Sequence, residues 1–256
     1  ITTAAGLNNG FNPSSTLTGS NVITLPDTVT ELTNYANQKC NGQDAVTLQT
    51  AFALSCNTAF VEMSEQLGAD ELRKYAKAFG VGENYDLGVS TSAGTLGDLP
   101  DGAATAQSAI GQRDVTMTAL QAAVMAGTVA NKGTRMQPYL VNRITDAQMK
   151  DIRTTKPKKA DQAVNEETAA TLTDLMYASE RSSAGYDGNG FASKTGTAEH
   201  GEGLAPHVWY VAFDPERDIA VGVVVKNGGN LGESATGGKV SGPIGRAILR
   251  AYQGEQ

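Results

Sequence analysis

The sequence contains few of the residues that build metal centres and disulfide frameworks. It has two cysteines, Cys40 and Cys56, and two histidines, His200 and His207, among 256 residues. Two cysteines are too few for a disulfide scaffold, and these four side chains are a poor basis for a structural zinc site. We therefore expect no metal ion. The cysteines are equally compatible with two buried thiols and with a single bridge, which requires an oxidising compartment.

Positive charge and long apolar runs are also scarce. The chain has 20 Lys and Arg against 27 Asp and Glu, a formal net charge of −7. Because no basic cluster is interleaved with aromatic residues, we expect no nucleic-acid partner. The longest apolar run, 219–225, is far shorter than the ~20 residues that span a bilayer, and it predicts a buried strand. The chain begins at Ile1 without a signal-peptide pattern, and we interpret it as a processed or truncated piece.

Apolar residues make up 40% of the chain, enough for one large domain or two small ones. Helical periodicity marks a block in the middle of the chain, with one break near Ser55. A terminal antiparallel sheet with helices around it follows, and two of its strands are joined by the turn-forming stretch 214–218. The predicted helices are 46–68, 69–80, 115–133, 166–179 and 243–252; the strands are 135–144, 191–199 and 208–228; the irregular segments are 11–45 and 81–107. The predicted buried helix faces include Leu72, Tyr75, Ala76, Phe79, Leu172, Leu175 and Met176.

The stretch Lys194-Thr195-Gly196-Thr197 has the chemistry of a carboxylate-binding strand. Alone, it also fits a strand that needs a small residue for close packing. An ammonium beside two hydroxyls suits a carboxylate, and the glycine lets a ligand approach the backbone. The backbone N–H of Thr197 is the natural candidate for one oxyanion donor.

A second short motif, Ser55-Cys56-Asn57, precedes it in the chain. Any Ser-x-Asn matches this pattern, and a helix cap explains it equally well. In a catalytic site, the hydroxyl would transfer a proton and the amide would hold a substrate carbonyl. Ser-x-Asn and Lys-Thr-Gly belong, with Ser-x-x-Lys, to one set in class A β-lactamases and penicillin-binding proteins.

The chain as a whole resembles the transpeptidase domain of class B penicillin-binding proteins, most closely the PBPA-like type of actinobacteria. The resemblance implies an α/β (layered α+β) fold of the β-lactamase/transpeptidase type. A central antiparallel five-stranded sheet would be flanked by helices, and an all-helical subregion would carry Ser-x-Asn. The segments that carry the resemblance are 54–68, 108–141, 192–199 with 207–215, and 235–249.

One part of the family's signature is missing. No serine in this sequence is followed by a lysine three positions later. The opening Ile1-Thr2-Thr3-Ala4-Ala5 resembles the helix that continues the family's Ser-x-x-Lys motif. We therefore expect the nucleophile just upstream of residue 1, which makes 1–256 an N-terminally incomplete transpeptidase domain. The alternative is a pseudoenzyme that never had the motif.

The resemblance also implies a role for each motif residue. Ser55 resembles the hydroxyl that relays a proton to the leaving amine, and Asn57 the amide that holds the acyl donor. Lys194 resembles the cation that draws the substrate carboxylate, and the 195–197 segment (Thr195, Gly196, Thr197) binds it. An extracytoplasmic, oxidising location is implied as well, and it favours a Cys40–Cys56 bridge.

The implied function is a serine D,D-transpeptidase that cross-links peptidoglycan and is inhibited by β-lactams. Its partners would be D-Ala-D-Ala stem peptides, β-lactam antibiotics and the cell-division or elongation machinery, with no cofactor. An N-terminal segment outside this chain would anchor it at the extracytoplasmic face of the membrane. Three alternatives remain: a D,D-carboxypeptidase, a non-catalytic β-lactam sensor or division scaffold, and a β-lactamase. The last is disfavoured because 83–87 does not match the class A Glu-x-x-Leu-Asn motif.

Overall fold

The computed structural model describes residues 1–201 and 203–252, and within these ranges it contains seven α-helices and eleven strands. The helices are α1 (Thr2–Leu7), α2 (Leu48–Leu54), α3 (Asn57–Ala78), α4 (Gly102–Ala109), α5 (Ala119–Ala130), α6 (Glu166–Ser182) and α7 (Ser241–Ala251). The strands are β1 (Thr16–Thr18), β2 (Val22–Thr24), β3 (Glu31–Thr33), β4 (Ala45–Thr47), β5 (Thr134–Met136), β6 (Arg143–Thr145), β7 (Asp151–Thr154), β8 (Lys159–Gln162), β9 (Ala192–Ala198), β10 (His207–Asp214) and β11 (Ile219–Val225).

The central sheet is antiparallel, with the strand order β11-β10-β9. The predicted hairpin is confirmed: β10 and β11 pair from Val208–Val225 to Asp214–Ile219 across the turn. The sheet has three strands in the part of the chain that the structure describes, and not the five that the resemblance implied. The remaining strands have three or four residues each and form separate two-stranded pairs. Within the described ranges, the strands of seven or eight residues all lie in the C-terminal third of the chain.

Helices pack against both faces of this sheet. On one face, α5 and α6 bury Ala126, Val129, Leu175 and Met176 against Phe213 of β10. On the other face, Leu249 of α7 packs in a second cluster with Phe191, Tyr210, Ala212 and Val221. A large apolar side chain such as Leu175 or Phe213 stabilises the fold by about 1.5–3 kcal/mol when it is fully buried rather than exposed. The result is a layered α/β arrangement, as expected, with β9 at one edge of the sheet.

The predicted helix faces are confirmed where the periodicity is strong. Leu72, Tyr75, Ala76 and Phe79 are buried in or just after α3, and Leu172, Leu175 and Met176 are buried in α6. Thr118 caps α5 by accepting a hydrogen bond from the Gln121 N–H. The boundary predicted between helices 46–68 and 69–80 falls at a kink inside α3, where Gly68 is non-helical with a φ of +74°.

Two predicted segments are wrong in detail. The loop predicted at 81–107 runs into α4, because Asp101 accepts a hydrogen bond from the Ala104 N–H and starts a helix on an alanine-rich run. The strand predicted at 135–144 is split into β5 and β6, with Pro138 between them. None of the helices in the described ranges is long and apolar enough to cross a membrane.

Candidate active site

Ser55 lies at the junction between α2 and α3, where the chain turns sharply. Its backbone is left-handed, with φ 60° and ψ 49°, and Cys56 then leads into α3. A non-glycine residue in this region costs about 1–2 kcal/mol, and such residues concentrate at functional sites. The Cys56 N–H still bonds back to the Ala51 carbonyl, which closes the end of α2. The predicted break near Ser55 is therefore a tight turn that presents a hydroxyl.

Lys194 on β9 meets Ser55 across the site. Its Nζ donates to Ser55 Oγ at 2.9 Å and to the Thr195 carbonyl at 2.8 Å. The ammonium also lies 5.9 Å from the ring centre of Phe52, a residue that sequence reasoning did not single out. In the sequence, Phe52 is marked only by its place on the periodic apolar face of α2. The tertiary fold thus brings together two motifs that lie 139 residues apart.

Burial lowers the pKa of Lys194 to about 8, from an ordinary value of 10.5. The charged form is the one that attracts a carboxylate, so this ammonium is poised to lose its charge just above neutral pH. A lysine with a pKa near the working pH is also suited to proton transfer.

This shift predicts a pH dependence. On the carboxylate-binding role that the resemblance implies for Lys194, binding is full well below pH 8 and is lost as the pH rises through about 8. We expect the second-order rate constant for acylation by a penicillin to fall with a midpoint near that value. The measurement is a pH series of acylation rates, corrected for hydrolysis of the antibiotic alone. An acylation rate constant that stays unchanged up to pH 10.5, the ordinary pKa of a lysine, would contradict the lowered pKa of Lys194.

Residues 195–197 continue β9 beyond Lys194, and each pairs with a residue of β10. Thr197 Oγ1 accepts a 3.4 Å hydrogen bond from the Gly237 N–H. The backbone of Gly237 lies so close that an added Cβ would stand 2.4 Å from the Trp209 carbonyl oxygen. Only glycine permits this close approach, which lets the segment before α7 pack against β9, the site strand.

Asn57 is the first residue of α3, and its position is set by a segment from earlier in the chain. Its Nδ2 donates to the Thr33 carbonyl at 3.1 Å. Next to it, the buried Asn34 accepts from the Thr58 N–H at 3.1 Å and donates to the Ser20 carbonyl at 2.9 Å. Sequence reasoning missed Asn34, because it lies in a stretch without any periodic pattern.

The sulfurs of Cys40 and Cys56 are joined in a disulfide, with Cα atoms 5.7 Å apart. Both cysteines are buried in a cluster with Leu17, Val46 and Met63. The bridge ties the same early segment to the residue between Ser55 and Asn57. The turn that carries the Ser-x-Asn motif is therefore held covalently as well as by hydrogen bonds.

Removal of this bridge is expected to destabilise the protein. The two cysteines are 16 positions apart, and a loop of about this length corresponds to roughly 3 kcal/mol of stabilisation. We expect the double variant Cys40→Ala/Cys56→Ala to lose about that much unfolding free energy, measured by denaturant titration. The reduced wild-type protein is the matched control. Equal stability of oxidised and reduced protein would count against a structural role.

The two histidines lie beside the site strand rather than in the Ser55–Lys194 contact. Their rings stack with centres 4.0 Å apart, where the chain passes from β9 to β10. His207 Nδ1 accepts from the Asn227 N–H at 3.1 Å. Over the described ranges, no group of three or more His, Cys, Asp or Glu residues is placed to hold a metal ion.

The geometry is thus a layered α/β fold whose edge strand carries a lysine that is hydrogen bonded to the serine of a Ser-x-Asn turn. The family model described as the penicillin-binding protein transpeptidase domain matches residues 1–250. The chain belongs to this family, which confirms the resemblance read from its motifs.

The relatives include D,D-transpeptidases of mycobacteria. The chain is 44% identical to the peptidoglycan D,D-transpeptidase PbpA of Mycolicibacterium smegmatis, over 98% of this chain and 53% of that protein. It is 42% identical to the same-named protein of Mycobacterium tuberculosis, over 100% of this chain and 54% of that protein.

The solved structure of M. tuberculosis penicillin-binding protein A as a ceftriaxone acyl-enzyme matches with a TM-score of 0.94 and 41% identity. That match covers 98% of this chain and 58% of the other. The chain thus spans about half the length of the curated relatives that it matches.

Proposed function

We propose that the chain is the greater part of a serine D,D-transpeptidase domain that cross-links peptidoglycan stem peptides ending in D-Ala-D-Ala. The observation that carries the proposal is the 2.9 Å hydrogen bond between Lys194 Nζ and Ser55 Oγ. This contact joins a cation that can attract a carboxylate to a hydroxyl that can relay a proton, a pairing suited to acyl transfer from a peptide with a free C-terminus.

In the proposed reaction, a serine oxygen attacks the carbonyl of the penultimate D-Ala, and the carbonyl carbon–nitrogen bond breaks. The attacking serine loses its hydroxyl proton, and Ser55 passes a proton to the departing amine of the terminal D-Ala. The Thr197 N–H stabilises the oxyanion, while Lys194 and the hydroxyls of Thr195 and Thr197 hold the terminal carboxylate. Asn57 holds the acyl donor. The amine of a second stem peptide then attacks the acyl-enzyme and releases the serine.

The nucleophilic serine and its lysine are proposed to come from chain upstream of residue 1. Two observations support this: no Ser-x-x-Lys occurs in the sequence, and the chain spans about half of its curated relatives. The same upstream segment is proposed to supply the two further strands of a five-stranded sheet and a membrane anchor. The domain would then work at the extracytoplasmic face, alongside cell-division or elongation machinery.

Intact mass spectrometry tests the proposal. The protein, with the segment upstream of residue 1 that is proposed to hold the nucleophile, is measured before and after incubation with a penicillin. We expect the mass to rise by that of one penicillin, because β-lactams mimic the acyl donor and leave a stable acyl-enzyme. A mass that does not change would reduce the roles of Ser55, Asn57 and Lys194 to binding at most.

An assay with an added acceptor amine separates the two related reactions. A cross-linked product is expected for a transpeptidase. Release of D-Ala without that product would assign the site to a D,D-carboxypeptidase instead.

A further inference from the structure

A buried carboxylate lies directly behind the strand that carries Lys194. Glu180, near the end of α6, is fully buried and accepts four side-chain hydrogen bonds. The donors are Ser193 Oγ, Tyr210 Oη at 3.0 Å, Arg246 Nε at 2.7 Å and Asn189 Nδ2 at 2.9 Å. These residues come from β9, β10, α7 and the connection between α6 and β9. Nothing in the proposed reaction uses this group.

Arg246 on α7 balances that charge and extends the network. It is also buried, and its guanidinium lies 5.5 Å from the ring centre of Tyr210. Its other nitrogens donate to the Ala184 carbonyl at 3.0 Å and to Ser183 Oγ at 3.1 Å. The ion pair therefore holds both the start of the site strand and the connection that leads into it.

The network reaches the site through Ser193, the residue before Lys194. Successive side chains of a strand point to opposite faces, so Ser193 is anchored on one face while Lys194 reaches Ser55 on the other. The far end of the motif is held from the same direction, since the Gly237 N–H, just before α7, donates to Thr197. The residues on both sides of Lys194-Thr195-Gly196 are thus held on the α7 side of the sheet, by Glu180 and by the segment before α7.

A strand in this position needs such support. In the described part of the chain, β9 pairs with β10 alone and lies at the edge of the sheet. A backbone ladder on one side leaves the strand freer to shift than a central strand. An ångström of misplacement at a catalytic group can lower a rate by about 100-fold.

We propose that Glu180 and Arg246 are positioning residues, which hold β9 through Ser193 so that Lys194 stays within hydrogen-bonding distance of Ser55. The proposal rests on the proposed function of Lys194. A purely stabilising role explains the pair less well, because buried ion pairs are often no more stable than apolar residues of similar volume. The pair orients its neighbours through directional hydrogen bonds that apolar residues do not make.

The test compares two serine variants of the intact protein. Ser193→Ala removes the link between Glu180 and the strand. Ser64→Ala removes a comparable buried hydroxyl, which donates to the Val61 carbonyl at 2.7 Å within α3. Two properties are measured for each variant: the penicillin acylation rate constant, and the pH midpoint of Lys194 modification by a lysine-selective reagent, read by peptide mass spectrometry.

We expect Ser193→Ala to lower the acylation rate constant about tenfold and Ser64→Ala to leave it unchanged. A loosened strand admits water to Lys194, so the pH midpoint of its modification should rise from about 8 toward 10.5 in Ser193→Ala. In Ser64→Ala the midpoint should stay at about 8. Arg246→Lys should act like Ser193→Ala. Its matched control is Arg135→Lys, which alters the buried arginine that donates to the Ala78 carbonyl and pairs with Glu83.

Two results would overturn the proposal. One is an unchanged Lys194 midpoint in Ser193→Ala; the other is an equal change in Ser64→Ala. If the unaltered protein forms no penicillin adduct, the proposed function fails, and the modification midpoints alone decide whether Glu180 positions Lys194.

Discussion

Lys194→Met is expected to lower the second-order rate constant for acylation by a penicillin by about 10²–10³-fold, the usual effect of removing one preorganised electrostatic donor from an active site. Methionine keeps an unbranched side chain over Phe52, so the packing survives while the cation is lost. The hydrogen bond to Ser55 disappears with it. The measurement is the rate of adduct formation by stopped-flow or by mass spectrometry.

The control for this variant is Lys74→Met, at an exposed lysine of α3 that pairs with Glu71. It removes the same charge from the same chain away from the site, and we expect an unchanged rate constant. If Lys194→Met retained a rate within a factor of a few of wild type, the role of Lys194 as the carboxylate-attracting cation would be wrong.

Ser55→Gly is expected to separate activity from stability. In the proposed reaction, loss of the hydroxyl removes the relay that protonates the leaving amine, and acid–base groups of this kind contribute about 10²–10⁴-fold. Turnover of a D-Ala-D-Ala peptide should fall by that factor. The backbone at Ser55 is left-handed, and glycine relieves about 1–2 kcal/mol of strain there. That gain offsets the lost hydrogen bond, worth about 1 kcal/mol.

The unfolding free energy of Ser55→Gly should therefore stay within about 1 kcal/mol of wild type. The matched control is Asp27→Gly, at another left-handed residue, with φ 57°. We expect it to leave turnover unchanged. An inactive Ser55→Gly that is also several kcal/mol less stable would show that the turn had collapsed, and the relay role would then need a different test.

The strength of the local pattern decided which parts of the fold were predictable. The face of α6 was predicted correctly because Leu172, Leu175 and Met176 repeat at helical spacing, and the β10–β11 hairpin because its turn residues separate two apolar runs. The missed α4 depends on one capping aspartate, and the strand count of five came from the resemblance rather than from runs present in this chain.

By itself, the sequence determined the family, the motifs and most of the helix faces, because each of these depends on residue type and on spacing over a few positions. Only the tertiary structure decided that Lys194 touches Ser55, that Cys40 is bonded to Cys56, and that Glu180 and Arg246 lie buried behind the site strand. The physical reason is range: each of these contacts joins residues that no local periodicity relates. They form only when the segments that carry these residues have packed together.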